Sequence, residues 1–383
     1  MKGDKHSRLE QILGELKPEN KKKEICEVRG LPPGQFLDED VYLCEIRHEI
    51  PREVDVNEHK QCIKTLSSWG AGEPLVFFDL ETTGLAGGTG TYAFLAGVGF
   101  YEKNDFVIRQ LFLCSPRAER AWLSRLLDII PPKPAFVTYN GKNFDLPLIN
   151  TRFLLSRMKP IEESGHLDLL HLVRRLWKRR IGSCALSNVE RHILYIDRKT
   201  EDVPGCIIPE LYKMFLKTGD AADLSGVFYH NEMDILSLCM LFYKVALTLM
   251  GNSADPFEID RAGDAWCDRD LNRANRLWRK AATLEPPAKN AIWKLAMENK
   301  KMNNYYEALS LLMKLYNMDY KKIDVAVEIS KLYEHKLKDP QTALMWAESA
   351  IKDFLKYRPL VRAQQSKWTE LLKRVERLRR KVG

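Results

Sequence analysis

No C-x-x-C pair occurs in this chain, although it holds eight cysteines. Cys26, Cys44, Cys62, Cys114, Cys184, Cys206, Cys239 and Cys267 are scattered, which argues against a structural zinc site. A secretory leader is also missing, because the opening MKGDKHSRLEQILGELK is polar and charged throughout. Free thiols in a reducing compartment are therefore expected. Long hydrophobic runs are scarce. The most apolar helix candidate, Ile235 to Met250, is interrupted by Lys244 and is short for a bilayer. The expectation is a soluble, cytoplasmic protein with no membrane partner. What the chain has is ordinary globular material, 45% hydrophobic and 29% charged over 383 residues, enough for two domains. A net charge of +8 leans mildly toward anionic partners.

The stretch FFDLETTGLAGGTGTYAFLAG, from Phe77 to Gly97, contains GTGTYA, a match to the dinucleotide pattern G-x-G-x-x-[G/A]. That pattern needs a helix after the glycines, whose N-terminus receives the pyrophosphate. Here the glycines lead into AFLAGVGFY, which reads as a strand. No Lys-Ser or Lys-Thr follows, so a Walker A loop is excluded too. The glycines fit a tight strand connection that a nucleic-acid backbone can approach closely.

Around that stretch the pattern is α/β. Residues 1 to about 25 read as a charged arm, and VYLCEIRHEI (Val41 to Ile50) alternates like a strand. Pro74 to Gly84, Ala93 to Tyr101 and Phe106 to Leu113 predict an antiparallel meander. Pro134 to Asn140 predicts a fourth strand. Helices are expected over residues 115–130, 145–157, 168–180 and 231–250. After Pro256 the pattern is helical throughout, with Ala274, Ala308 and Ala343 aligned at spacings of 34 and 35 residues, the tetratricopeptide period. The expected division is an N-terminal extension over 1–70, partly disordered, an α/β domain over 71–250 and a helical repeat domain over 257–383.

Asp79 and Glu81 stand two apart on a strand and so project from one face. Like charges so placed repel unless a cation lies between them, and hard oxygen ligands suit Mg²⁺ or Mn²⁺. YNGKNFD adds Asn140 and Asp145 after the fourth strand. FYHNEMD adds His230 and Asp234, four apart on one helix face. Four carboxylates and an imidazole make the inventory of a two-metal phosphodiesterase.

FDLETTG, YNGKNFD and YHNEMD together resemble the three motifs of the DEDD exonucleases, which have a ribonuclease H-like fold. A closer similarity, through ETTGLAGGTGTYAFLAG, SCALSNVER and PGCIIPELY, is to the YprB-type mitomycin-repair exonucleases with tetratricopeptide tails. The resemblance implies a mixed sheet flanked by helices and 3′–5′ exonuclease activity with two divalent ions. It implies Asp79, Glu81, Asp145 and Asp234 as metal ligands, His230 as general base, and single-stranded DNA or a 3′ end as substrate, with DNA repair as the setting. It also implies a helicase or other protein partner for the repeats. Thr82, Thr83, Gly84, Asn140 and Phe144 are the matching nucleic-acid contacts. The base departs from the family pattern. His230 stands four residues before Asp234 and Tyr229 five, the reverse of the usual spacings. His230 is preferred because imidazole titrates near neutral pH.

RRLWKRR adds Arg174, Arg175 and Arg179 as expected phosphate contacts, with Trp177 as a base-stacking platform. Arg191 and Arg198 extend that surface. Asp168 reads as an ordinary residue of a strand-to-helix junction. Two rival readings remain, a catalytically weak nucleic-acid-binding scaffold and an exoribonuclease. Nothing in the residues separates DNA from RNA.

Overall fold

The structure, a computed structural model, describes residues 28–49, 56–84, 90–102, 105–198, 203–356 and 365–383. Most of the charged N-terminal arm and the tip of the glycine loop, including Gly87 and Gly88, lie outside the described residues. Seven strands form one mixed sheet: β1 (Gln35–Asp38), β2 (Val41–Glu49), β3 (Leu75–Thr82), β4 (Ala93–Glu102), β5 (Asp105–Leu113), β6 (Ala135–Thr138) and β7 (Gly165–Asp168). Their order is β1-β2-β5-β4-β3-β6-β7. The β3-β4-β5 meander is antiparallel as expected. The turn chemistry between those strands allows direct hairpin pairing, whereas β6 and β7 arrive through helical crossovers and join parallel.

β1 and β2 extend this sheet, and β2 pairs with β5 from Val41↔Leu113 to Glu49↔Asp105. The segment expected as an N-terminal extension is therefore partly built into the α/β domain. The alternation of Val41 to Glu49 was the signal, since it hides one face against the core.

Apolar side chains cover both faces of the sheet. On one face Phe77, Ile108, Val137 and Leu167 pack under the helices Leu169–Ile181 and Ser225–Met250. On the other, Phe78, Phe94, Leu111 and Phe136 pack against Glu119–Ile129, Asp145–Leu155 and Ile208–Thr218. Helix Ser225–Met250 is longer than the sequence suggests, 26 residues, and is long and apolar enough to cross a membrane by composition alone. Its buried side chains, from Val227 to Leu249, instead meet the sheet and the helices beyond it. Two glycines allow that contact. A Cβ on Gly97 would lie 2.4 Å from the Asn231 amide, and one on Gly99 would lie 2.5 Å from Ile235.

Beyond residue 255 the described chain is all helical, from Pro256–Trp266 to Gln365–Val382. Ala274, Ala308 and Ala343 each stand fourth in their helix and are fully buried. Only a small side chain lets neighbouring helices approach so closely. The apolar cluster over the sheet continues to Leu332 in this region.

Candidate active site

β3 runs out of the core, buried from Leu75 to Phe78 and half-buried at its end, where Asp79 and Glu81 share the face of Phe77. The β3–β6 register covers Leu75 to Phe77. Leu80, beyond it, gives its amide to the Asp145 carboxylate, which also accepts from its own N–H at the start of helix Asp145–Leu155. Asp145 is thereby set beside the D-x-E pair. The third element is helix Ser225–Met250. It begins well before Asn231, where the sequence pattern placed its start, so Asp234 sits in the helix body rather than at its entrance.

Electrostatics shows that these groups share one space. Burial holds the Asp79 carboxyl well above the usual range, and Asp234, Asp145 and Glu81 add to the shift. Glu81 is raised to about 8 by burial, against the attraction of His230. Burial raises Asp145 to about 7 despite its two backbone hydrogen bonds. Asp234 is raised too, chiefly by burial, even though His230 and Arg198 face it. His230 Nε2 lies 3.7 Å from Asp234 Oδ2.

Three residues that the sequence reading did not single out as active-site groups complete the arrangement. Asn231 is fully buried and donates to Asp79 Oδ2 at 3.0 Å, while its own oxygen accepts from Gln110 at 3.0 Å. Glu190, 1% exposed, receives Arg198 Nε at 2.8 Å and Nη2 at 2.5 Å, together with the Ser237 hydroxyl at 2.6 Å. Arg198 also donates to Asp234 and lies 3.3 Å from His230 Nδ1. Arg198, expected to extend the phosphate-contact surface, is instead a largely buried partner of the carboxylates. Asn231 had a signal in its place inside YHNEMD, and Glu190 in its place inside SCALSNVER, though neither stretch showed which partner the residue meets. Glu190 and Arg198 come from an irregular stretch whose periodicity says nothing of where it packs.

Asp168 keeps the structural role expected of it. It is 3% exposed, accepts from the amides of Asn140 at 2.8 Å, Lys142 at 3.2 Å and Leu170 at 3.1 Å, and so shapes the turn that delivers Asp145. Asn140 takes a left-handed conformation there, with φ of 66°. Phe144, next to Asp145, is half exposed. Thr83 ties the glycine loop shut by exchanging hydrogen bonds with Tyr92, and Thr82 bonds to the Gly84 carbonyl.

The basic run divides by helix face. Arg174 and Lys178, one turn apart, line a cavity of about 540 Å³ with Tyr139 and Asn140. Leu186 separates it from a cavity of about 430 Å³ walled by Arg198, His230 and Asp234. Two of the expected contacts point elsewhere. Trp177 is fully buried and donates to Glu258 at 2.9 Å, so it is no stacking platform. Its helix face is covered by Pro256–Trp266. Arg175 reaches the Ala265 carbonyl at 3.4 Å on that same helix. Arg179 is exposed and lines neither cavity. A larger cavity, about 1190 Å³ between Leu75, Tyr101 and Pro131, contains none of the four carboxylates or His230.

The residues fit divalent cations by chemistry: four oxygen donors with raised carboxyls face one buried guanidinium, leaving an excess of negative charge. As the side chains stand, no three acidic or histidine groups among the described residues converge closely enough to chelate an ion, and Asp234 is engaged by Arg198.

Comparison with known proteins places this geometry. The RNase H superfamily matches residues 76–246, the span that holds all four carboxylates. The uncharacterized protein YprB of Bacillus subtilis (strain 168) is 32% identical over 386 residues, covering 94% of this chain and 91% of that protein.

Proposed function

Because this chain belongs to the RNase H superfamily, in the family of YprB, we propose that it is a metal-dependent 3′–5′ exonuclease of DNA. Nuclease action on nucleic acid is what the superfamily suggests; direction, sugar and a place in repair are our reading. The observation that supports it best is that Asp79, Glu81, Asp145 and Asp234 lie near enough for their charges to act on one another, beside His230.

Asp79, Glu81, Asp145 and Asp234 would hold the ions. Bound Mg²⁺ or Mn²⁺ supplies charge to the scissile phosphate and to the leaving oxygen. Asn231 keeps Asp79 turned into the cleft, and Asp168 keeps the Asp145 turn in register. His230 takes the proton of the attacking water at Nε2. For that the ring must carry its own proton on Nδ1. An arginine can only donate, so base action at Nε2 requires the 3.3 Å contact of Arg198 Nη1 with Nδ1 to open while Arg198 keeps its bonds to Asp234 and Glu190. Tyr229, the alternative base, does not line the cavity that His230 and Asp234 share. Arg174 and Lys178 lie where they hold a phosphate of the strand next to the cleft. The helical region is proposed as tetratricopeptide-like and as the seat of a protein partner.

The test uses matched 5′-labelled DNA and RNA oligonucleotides with Mn²⁺, Mg²⁺ or EDTA. A descending ladder that needs metal and disappears in Asp79→Ala is expected, with DNA cut faster. Binding without any cleavage by the parent protein would replace this reading with that of a scaffold.

A further inference from the structure

A second concave, basic surface lies away from the carboxylates, where the α/β domain meets the first helices of the helical region. Lys60 and Lys64 from helix Val56–Leu66 face Arg269 and Arg273 across a pocket of about 740 Å³. One indole, Trp266, lines it, and Trp69 packs against that ring. Trp69 and Trp266 meet edge to face with centroids 4.7 Å apart. Arg269 lies over Trp69 at 4.8 Å, and Arg273 lies over Trp266 at 4.0 Å. Stacking fixes the plane of each guanidinium, and Arg269 Nε donates to the Ser68 carbonyl at 3.3 Å, so its Nη groups are the edge turned to a ligand.

The local acid offsets this charge only in part: burial presses against the charge of Arg273, and Asp270 favours it. Asp270 spends its carboxylate on the Arg273 amide, at 2.9 Å, as a helix cap. Among the described residues no carboxylate lies within ion-pair distance of Lys60, Lys64, Arg269 or Arg273. Burial and neighbouring Arg276 press against the charge of Arg273. Four cations with one committed acid make a site lacking its anion.

The ligand class follows from the spacing. Lys60 and Lys64 are one helical turn apart, about 6 Å, too far to close on one phosphate together. Their row suits successive phosphates of a chain. Trp266 bonds to the Leu249 carbonyl at 3.0 Å. Fifteen residues of helix separate Leu249 from Asp234, about 22 Å at 1.5 Å per residue. A strand stacked at about 3.4 Å per phosphate needs about six phosphates to span that distance, and an extended strand fewer.

We propose that this pocket is a second phosphate-backbone site, which grips a nucleic-acid strand several nucleotides from the end held at the carboxylates. The inference rests on the nuclease reading given above. Its test measures binding of fluorescein-labelled single-stranded DNA of 4 and 20 nucleotides by anisotropy, between 50 and 200 mM KCl. The Asp79→Ala protein is used so that the DNA stays intact. Lys60→Ala/Lys64→Ala removes two exposed ammoniums that make no ion pair in the fold. Expected are a weakening of about tenfold for the 20-mer and a salt slope lower by about 1.4, two contacts at about 0.7 each. The 4-mer, too short to reach, keeps its affinity. Lys60→Glu/Lys64→Glu is expected to weaken the 20-mer further. A parental slope and affinity for the 20-mer in the double variant overturns the second site while leaving the nuclease reading intact. Equal losses for both lengths overturn it as well. Competition by pyrophosphate at the pocket with no effect on the 20-mer slope would assign it to a small phosphate ligand instead. Failure of the parent to bind either oligonucleotide overturns both readings.

Discussion

Removing the Arg198 guanidinium is expected to destabilise the fold as well as disturb the cleft. Glu190 is 1% exposed, and three donors reach its carboxylate: Arg198 Nε, Arg198 Nη2 and the Ser237 hydroxyl. Arg198→Met keeps most of the side-chain volume and takes away two of the three. A buried ion pair that loses one partner costs about 3–5 kcal/mol, because the other charge is left desolvated. An exposed pair costs about 0–1 kcal/mol. The two cases are therefore well separated. Glu190→Gln removes the stranded charge, so Glu190→Gln/Arg198→Met is expected to recover all but about 1–2 kcal/mol. The coupling energy between the two positions is then at least about 1 kcal/mol, plus whatever Glu190→Gln costs alone. The assay is urea unfolding followed by circular dichroism, with EDTA present so that bound metal does not enter the comparison. The midpoint should fall in the single variant and return in the double, with similar slopes. A single variant within about 1 kcal/mol of the parent, or a double variant no better than the single, would refute the buried-pair assignment.

Other outcomes follow from particular contacts. Gly97→Ala drives a Cβ to within 2.4 Å of the locked Asn231 amide and should cost about 1–3 kcal/mol in urea unfolding, whereas a change below about 0.5 kcal/mol would show that Asn231 can move. Trp177→Ala should cost about 3–5 kcal/mol yet leave the affinity per phosphate unchanged, since the indole is buried against Glu258; a stable variant with weakened DNA binding would restore the stacking role. Glu334, 6% exposed, holds the last helix through Arg374, Arg377 and Lys381. Burial pushes its carboxyl up, but hydrogen bonds from Lys381 and Arg377 outweigh it and bring it from 4.5 down to about 2. A depressed carboxyl contributes stability above its unfolded value, lost as pH falls through the folded one. Glu334→Gln should therefore cost up to about 3 kcal/mol at pH 7, less with solvent screening of the half-exposed cations, and the difference should fade between pH 4.5 and 2. A difference that does not change with pH would disprove the linkage.

Much of the site was legible because each part has a local signature. Two carboxylates at a strand's end need only the period of two to share a face, and His230 and Asp234 need only one turn of helix. The alanines at 34- and 35-residue spacing announced the buried contacts of the helical region in the same way. The N-terminal boundary was less legible. An edge-side strand such as β1 is only four residues long and carries almost no pattern of its own.

Charge density misled where geometry had to decide. RRLWKRR looks uniformly basic, but a helix gives each residue its own direction. Arg174 and Lys178 face the cleft, while Arg175 and Trp177 turn under helix Pro256–Trp266.

By itself, then, the sequence determined the strand-borne D-x-E, the antiparallel meander, the main helices and the spacing of the buried alanines, because these depend on spacings within one element. Only the tertiary structure decided that Asn231 grips Asp79, that Glu190 anchors Arg198 across to Asp234, and that Trp177 is core. Those choices depend on which faces meet when apolar surface is buried. A desolvated charge takes whichever partner the packing brings within reach, and that partner leaves no trace in local periodicity.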